Sequence, residues 1–207
     1  MHNPEVTQLL LDRGADPNDG EAVYHAVEAN DTTCLRILLD HSATVRDTNA
    51  LGNAIRDPEK VRLLLEHGDL RPQDEELRPR LLHAREDEVA QLLIAHGADV
   101  NALTNDLKYN KDRFGLEGVL TILPHGHWTP LMYAARQGSL EAAKVLVDAG
   151  ADKDARDPDL STPAIIAALN SHYDVAAMLV ERGADPNLAD TSGMAVLYAA
   201  VDMNTPA

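Results

Sequence analysis

One pattern of 26 residues is written twice in this chain, in register. TPLMYAARQGSLEAAKVLVDAGADKD fills residues 129–154, and TPAIIAALNSHYDVAAMLVERGADPN fills residues 162–187, starting 33 positions later. Pro130 matches Pro163, Ala134 and Ala135 match Ala167 and Ala168, and Gly150-Ala151-Asp152 matches Gly183-Ala184-Asp185. A period of this length limits the fold to a row of small units, because one such unit cannot bury its apolar face without a neighbour.

The chemistry inside the period predicts two helices and a loop. Thr129 and Thr162 can cap a helix with a hydroxyl oxygen, and Pro130 and Pro163 follow at the first helical position, where a missing amide costs nothing. Small residues at Ala134 and Ala135 allow close stacking, and Val145, Leu146 and Val147 carry the apolar stripe of a second helix. Gly150 and Gly183 end that helix, since glycine enters the left-handed region without a Cβ clash.

The pattern resembles the ankyrin repeat, whose motif runs T-P-L-H-x-A-A through to L-L-x-x-G-A-D-V-N. The resemblance implies an all-α ankyrin-repeat solenoid of helix-turn-helix units joined by hairpin-like loops. Met132 and Ile165 stand where the family has a histidine, so the turn that this histidine usually holds is expected to be looser.

Along the chain, residues 1–18 read as a partial unit with a second helix only. Residues 19–47 form a full unit, with Ala22 at the proline position, Ala26 and Val27 as the small pair, and Ser42 in place of the capping glycine. A serine in the left-handed region carries a steric cost. Residues 48–73 and 74–101 are degenerate units with short first halves, the second of them interrupted by Pro79, which leaves residues 80–84 a turn or two of helix. Residues 127–159 and 160–192 are the two clear units, and residues 193–207 supply a first helix alone. The whole is expected to be one ankyrin-repeat domain over residues 1–207, about five full units with a partial one at each end. With no polar capping unit at either end, the expectation is a piece of a longer protein, or one that pairs through its ends.

Asn101 and Thr129 are separated by 27 residues where Asp154 and Thr162 are separated by 7, so a loop insertion of 20 lies within residues 102–126. It holds Tyr109, the single Phe114 and the apolar run of residues 119–123 before Pro124, and it abuts the single Trp128. Loops tolerate such insertions and often carry binding function.

Ankyrin repeats, by this resemblance, bind protein partners on a concave face built from loop tips and first helices. Carried over position by position, the facing residues are Trp128, Arg136 and Gln137, then Asp159, Ser161, Leu169 and Asn170, then Thr191, Ser192, Met194, Asp202 and Met203. Phe114 and Trp128 make the insertion the expected specificity element, because an aromatic beside an arginine is the composition of an interface anchor. Packing of Trp128 against its own insertion is the competing expectation.

Eighteen basic against 34 acidic residues give a net charge of −16, which repels a phosphate backbone and points to basic or neutral protein partners. The single cysteine, Cys34, excludes an internal disulfide framework and reads as a buried thiol in a reducing, cytoplasmic compartment. No stretch reads as a signal peptide or a membrane span. DKDARDPD (residues 152–159) fails as a calcium loop, with Arg156 at a ligand position and Asp157 where glycine is required. His125 and His127 form a His-x-His pair with no third ligand at a known spacing, so no metal or cofactor is expected. His41, His67 and His96 recur at helix C-termini, where an imidazole favours the helix dipole. Catalytic signatures are absent, and an enzyme is not expected. The alternative to a binding scaffold is a structural segment that self-associates, or packs on neighbouring domains, through open ends.

Overall fold

The computed structural model describes residues 3–19, 21–46, 48–70, 87–104 and 126–202. They gather into two compact units, Met1–Asp99 and Val100–Ala207. Among the described residues, helices are joined by loops, with one isolated antiparallel bridge between Ala189 and Ala195.

The first unit contains α1 (Pro4–Asp12), α2 (Ala22–Glu28), α3 (Thr33–Asp40), α4 (Ala50–Ala54), α5 (Pro58–His67) and α6 (Asp87–Ala95). Asn3 and Asp57 cap α1 and α5 by accepting the amides of Val6 and Lys60, each ahead of a proline. Second helices stack on second helices, α1 on α3, α3 on α5 and α5 on α6, while first helix α2 stacks on first helix α4. Leu35, Leu64 and Leu93 are completely buried on this stack. As the sequence predicts, the first helix of the shortened unit is only five residues long, and Cys34 is buried on α3. Ser42 adopts φ 62°, a left-handed serine in the glycine position. The chain around Pro79 lies outside the described residues.

In the second unit α7 (Pro130–Gln137) pairs with α8 (Leu140–Asp148), and α9 (Pro163–Leu169) pairs with α10 (Tyr173–Glu181). α11 (Val196–Asp202) stacks on α9 as α9 stacks on α7. The buried Thr129 and Thr162 hydroxyls accept the Met132 and Ile165 amides, so the caps form as expected. Met132 and Ile165 themselves are completely buried and fill with apolar volume the position where the family carries histidine. Gly150 and Gly183 end α8 and α10 at φ 92° and 94°.

Successive units are also tied by loop side chains. The Thr44 amide donates to Asn18 Oδ1 at 2.7 Å in the first unit. In the second, the Asp152 amide donates to Asn101 Oδ1 and the Asp185 amide to Asp154 Oδ1, at 2.8 and 2.9 Å. Each acceptor lies four residues after the position that ends its helix, so the tie has the period of the repeat. Where Arg46 holds that position and cannot accept, the bond reverses, and the Val45 and Arg46 amides donate to Asp69.

Candidate functional site

The hairpin tips of the second unit are built alike. At residues 157–161 the Asp157 amide donates to Ser161 O (3.2 Å), the Leu160 amide donates to Asp157 O (2.9 Å), and Asp157 Oδ1 accepts the Asp159 and Ser161 amides (3.0 and 2.8 Å). At residues 190–194 Asp190 makes the same set with Met194, Gly193 and Ser192. A third tip is closed by Thr104. Its amide donates to Trp128 O, its carbonyl accepts the His127 amide, and its hydroxyl accepts the Trp128 amide, at 3.1, 3.2 and 2.9 Å.

Thr104 and Trp128 are 24 positions apart, against 4 for Asp157 and Ser161. The insertion of 20 residues therefore enters at a tip whose base remains hydrogen-bonded. The position before the closing residue of each tip is left-handed, His127 at φ 52°, Leu160 at φ 61° and Gly193 at φ 79°. Only the last is a glycine, so two tips hold a side chain in a region that L-residues enter at a cost of about 1–2 kcal/mol.

Trp128 links two tips. Its Nε1–H donates to Asp157 Oδ2 at 3.1 Å, its ring meets Tyr133 edge-on at 5.2 Å, and the Arg136 guanidinium lies over it, 5.5 Å from the ring centroid. Trp128 and Asp157 are each only 6% exposed. Burial raises the Asp157 carboxyl above its ordinary value, aided by the Asp159 charge and opposed by the bonds from Ser161, Trp128 and Asp159. A neighbouring pair of tips is joined directly, with the Thr191 amide donating to Asp159 O at 2.9 Å.

The residues expected to face a partner divide by environment. Arg136 and Asn170 are exposed at the ends of α7 and α9, beside half-buried Gln137 and Leu169. Thr191 and Ser192 are exposed at the last tip, while Asp159, Ser161 and Met194 are half-buried. Trp128 lies beneath Arg136 and is buried. Phe114, Tyr109, the apolar run, His125 and Met203 lie outside the described residues, as does the side chain of Asp202.

Sequence reasoning missed Asp157, whose signal was its spacing of 33 from Asp190. The acids of residues 152–159 have defined partners. Asp152 accepts the Asp154 amide, Asp154 accepts the Asp185 amide, and Asp157 holds its tip. His41 and His96 lie at helix ends as predicted, with Nδ1 at 2.8 and 2.9 Å from the carbonyls of Ile37 and Leu92.

The sequence matches the family described as ankyrin repeats (3 copies) over residues 1–74 and 57–190. With the repeated helix pairs in both units and the repeated tips of the second, this chain belongs to the ankyrin-repeat family. Ankyrin repeats are generally protein–protein interaction modules, and typically non-enzymatic scaffolds. No curated protein matches the chain. Among the described residues, no helix is long and apolar enough to cross a membrane.

Proposed function

We propose that this chain is a protein-binding scaffold whose reading surface is formed by the hairpin tips and first-helix ends of the second unit, the concave face of the family. The observation that carries this reading is the buried Trp128–Asp157 bond, which fixes one tip to the next and holds exposed Arg136 over the indole. A surface held in place before docking loses little conformational entropy on binding. Arg136 and Gln137 are followed 33 positions on by Leu169 and Asn170, so the variable residues repeat in register across neighbouring helices. Trp128 serves as the support of this surface and Arg136, Asn170, Thr191 and Ser192 as its contacts.

The insertion, with Phe114, is the specificity element, and the net charge of −16 selects a basic or neutral protein over nucleic acid or an anionic membrane. Buried Cys34 suits the reducing cytoplasm. The test is capture from source-cell lysate by the intact chain and by a chain lacking residues 105–124. Loss of one specific protein on deletion supports the reading, and equal capture of that protein removes the insertion from it.

A second reading, a structural segment that self-associates or packs on neighbouring domains of a longer protein, is favoured by the exposed apolar side chains of α1 and α11.

A further inference from the structure

The exposed Arg136 guanidinium lies over the Trp128 ring, 5.5 Å from its centroid, and among the described residues it makes no hydrogen bond or ion pair. Several arginines of the second helices are engaged differently. Arg36 closes on Glu59, Arg62 on Glu88 and Arg182 on Asp148, each reaching a neighbouring second helix. The stack of Arg136 on Trp128 is also no part of the repeat framework. One period on, Asp190 closes its tip with the same bonds as Asp157, yet Ser161 stands in the place of Trp128 and Leu169 in that of Arg136. A tip therefore closes without an indole, and a first helix ends without a guanidinium. What Trp128 adds is a fixed platform, buried, bonded to Asp157 and met edge-on by Tyr133. The backbone beneath the arginine is held as well, with His172 Nε2 3.1 Å from the Arg136 carbonyl oxygen.

We propose that Arg136, held on Trp128, receives the carboxylate of an Asp or Glu side chain of the protein partner; this rests on the scaffold reading and names the chemistry that its surface recognises. A guanidinium drawn to an indole face keeps its planar N–H fork for an acceptor, and that fork matches the two oxygens of a carboxylate. Ordering a long side chain is what weakens most exposed ion pairs, and here ring and backbone supply much of that order before docking. Gln137 beside it, and Leu169 and Asn170 one period on, are uncharged, so the carboxylate meets one cation on a neutral row. Asp157 and Asp159 on the adjoining tip favour a monoanion there over a phosphoryl group of higher charge. One carboxylate is compatible with a partner that is basic or neutral as a whole.

The test is selection of phage-displayed random peptides on the full wild-type chain and on Arg136→Gln, Arg136→Lys and Arg182→Gln, each verified as folded by circular dichroism. Wild type and Arg182→Gln, which removes a charge beside the second helices, are expected to enrich the same peptides, with Asp or Glu fixed at one position. Changing that residue to Asn or Gln in a synthetic peptide is expected to lower affinity for wild type about tenfold, read by calorimetry, and to leave affinity for Arg136→Gln unchanged, as it must if the two groups meet. Arg136→Lys, which keeps the charge and loses the fork, is expected to bind the acidic peptide several-fold more weakly than wild type. Enriched peptides without an acidic position, or bound as tightly by Arg136→Gln as by wild type, overturn the carboxylate proposal and leave the scaffold reading. A wild type that enriches no peptide while it still captures a protein from lysate does the same. A wild type that enriches no peptide and captures no protein overturns both.

Discussion

The indole Nε1–H of Trp128 donates to Oδ2 of Asp157 at 3.1 Å, across 29 positions of sequence and from one hairpin tip to the next, with both side chains buried. The carboxylate's other oxygen holds two amides of its own tip, so three donors depend on Asp157. Removing an acceptor from a buried site leaves its donors without partners, which is the larger part of the cost.

Asp157→Ala is expected to lower unfolding free energy by about 3 kcal/mol, and Trp128→Phe, which keeps most of the ring packing, by about 1–2 kcal/mol. The double variant is expected to lose about 1–2 kcal/mol less than the sum of the two, measured by urea unfolding. Strict additivity would show that the two residues do not act on one another.

Leu160 is left-handed and exposed, at the position that Gly193 occupies one repeat later. Leu160→Gly is expected to raise stability by about 1 kcal/mol, the relieved backbone strain exceeding glycine's added freedom in the unfolded chain. A lower thermal midpoint would contradict this.

Gly138 ends α7 at φ 69°, and a Cβ added there would lie 2.4 Å from His172 Nδ1. Gly138→Ala is expected to cost about 2 kcal/mol, from backbone strain and overlap together. In a Gly138→Ala, His172→Ala double variant the overlap is gone and the strain remains, so its cost should fall short of the sum of the two single costs by about 1 kcal/mol.

The pH dependence has two opposing parts. At Asp69, burial alone would raise the carboxyl, but the amides of Arg46, Val45 and Asp69 itself, with the Arg46 charge, hold it below its ordinary value. The unfolded chain then takes up this proton first on acidification, so the contribution of Asp69 is present above its unfolded value of 3.8 and is lost as pH falls through the lower folded value. Asp157 is raised, so its contribution has the opposite sign and declines as pH rises from 3.8 through its folded value. Asp69→Asn is therefore expected to flatten acid destabilisation, and Asp157→Asn to steepen it, in unfolding free energies taken from pH 6 to pH 3.

The helix pairs were legible because capping and periodicity act within a few residues. Thr129-Pro130 and Thr162-Pro163 start helices, Gly150 and Gly183 end them, and the interval of 33 orders the units. Side-chain direction in loops was not legible, since a period in residue type does not say which partner a side chain reaches. The sequence gives a polar residue at Asn18, Asn101 and Asp154 without saying that each reaches an amide of the following unit. Trp128 was read as an interface anchor from its rarity and its neighbour Arg136. Arg136 does lie over the ring, but the indole is held inward by an aspartate 29 positions away, and local composition carries no sign of that. His127 and Leu160 stand where the last tip has Gly193, so their left-handed backbone emerges only with the fold.

The most direct test of the scaffold account is quantitative capture by three forms of the chain, with the same bound protein followed by mass spectrometry. These are the wild type, a tip variant (Arg136→Ala, Asn170→Ala, Ser192→Ala) and a control altered on α8 (Glu141→Ala, Lys144→Ala). The account predicts that wild type and control retain one protein equally and that the tip variant loses it at least tenfold. Retention by the tip variant at the wild-type level would contradict it.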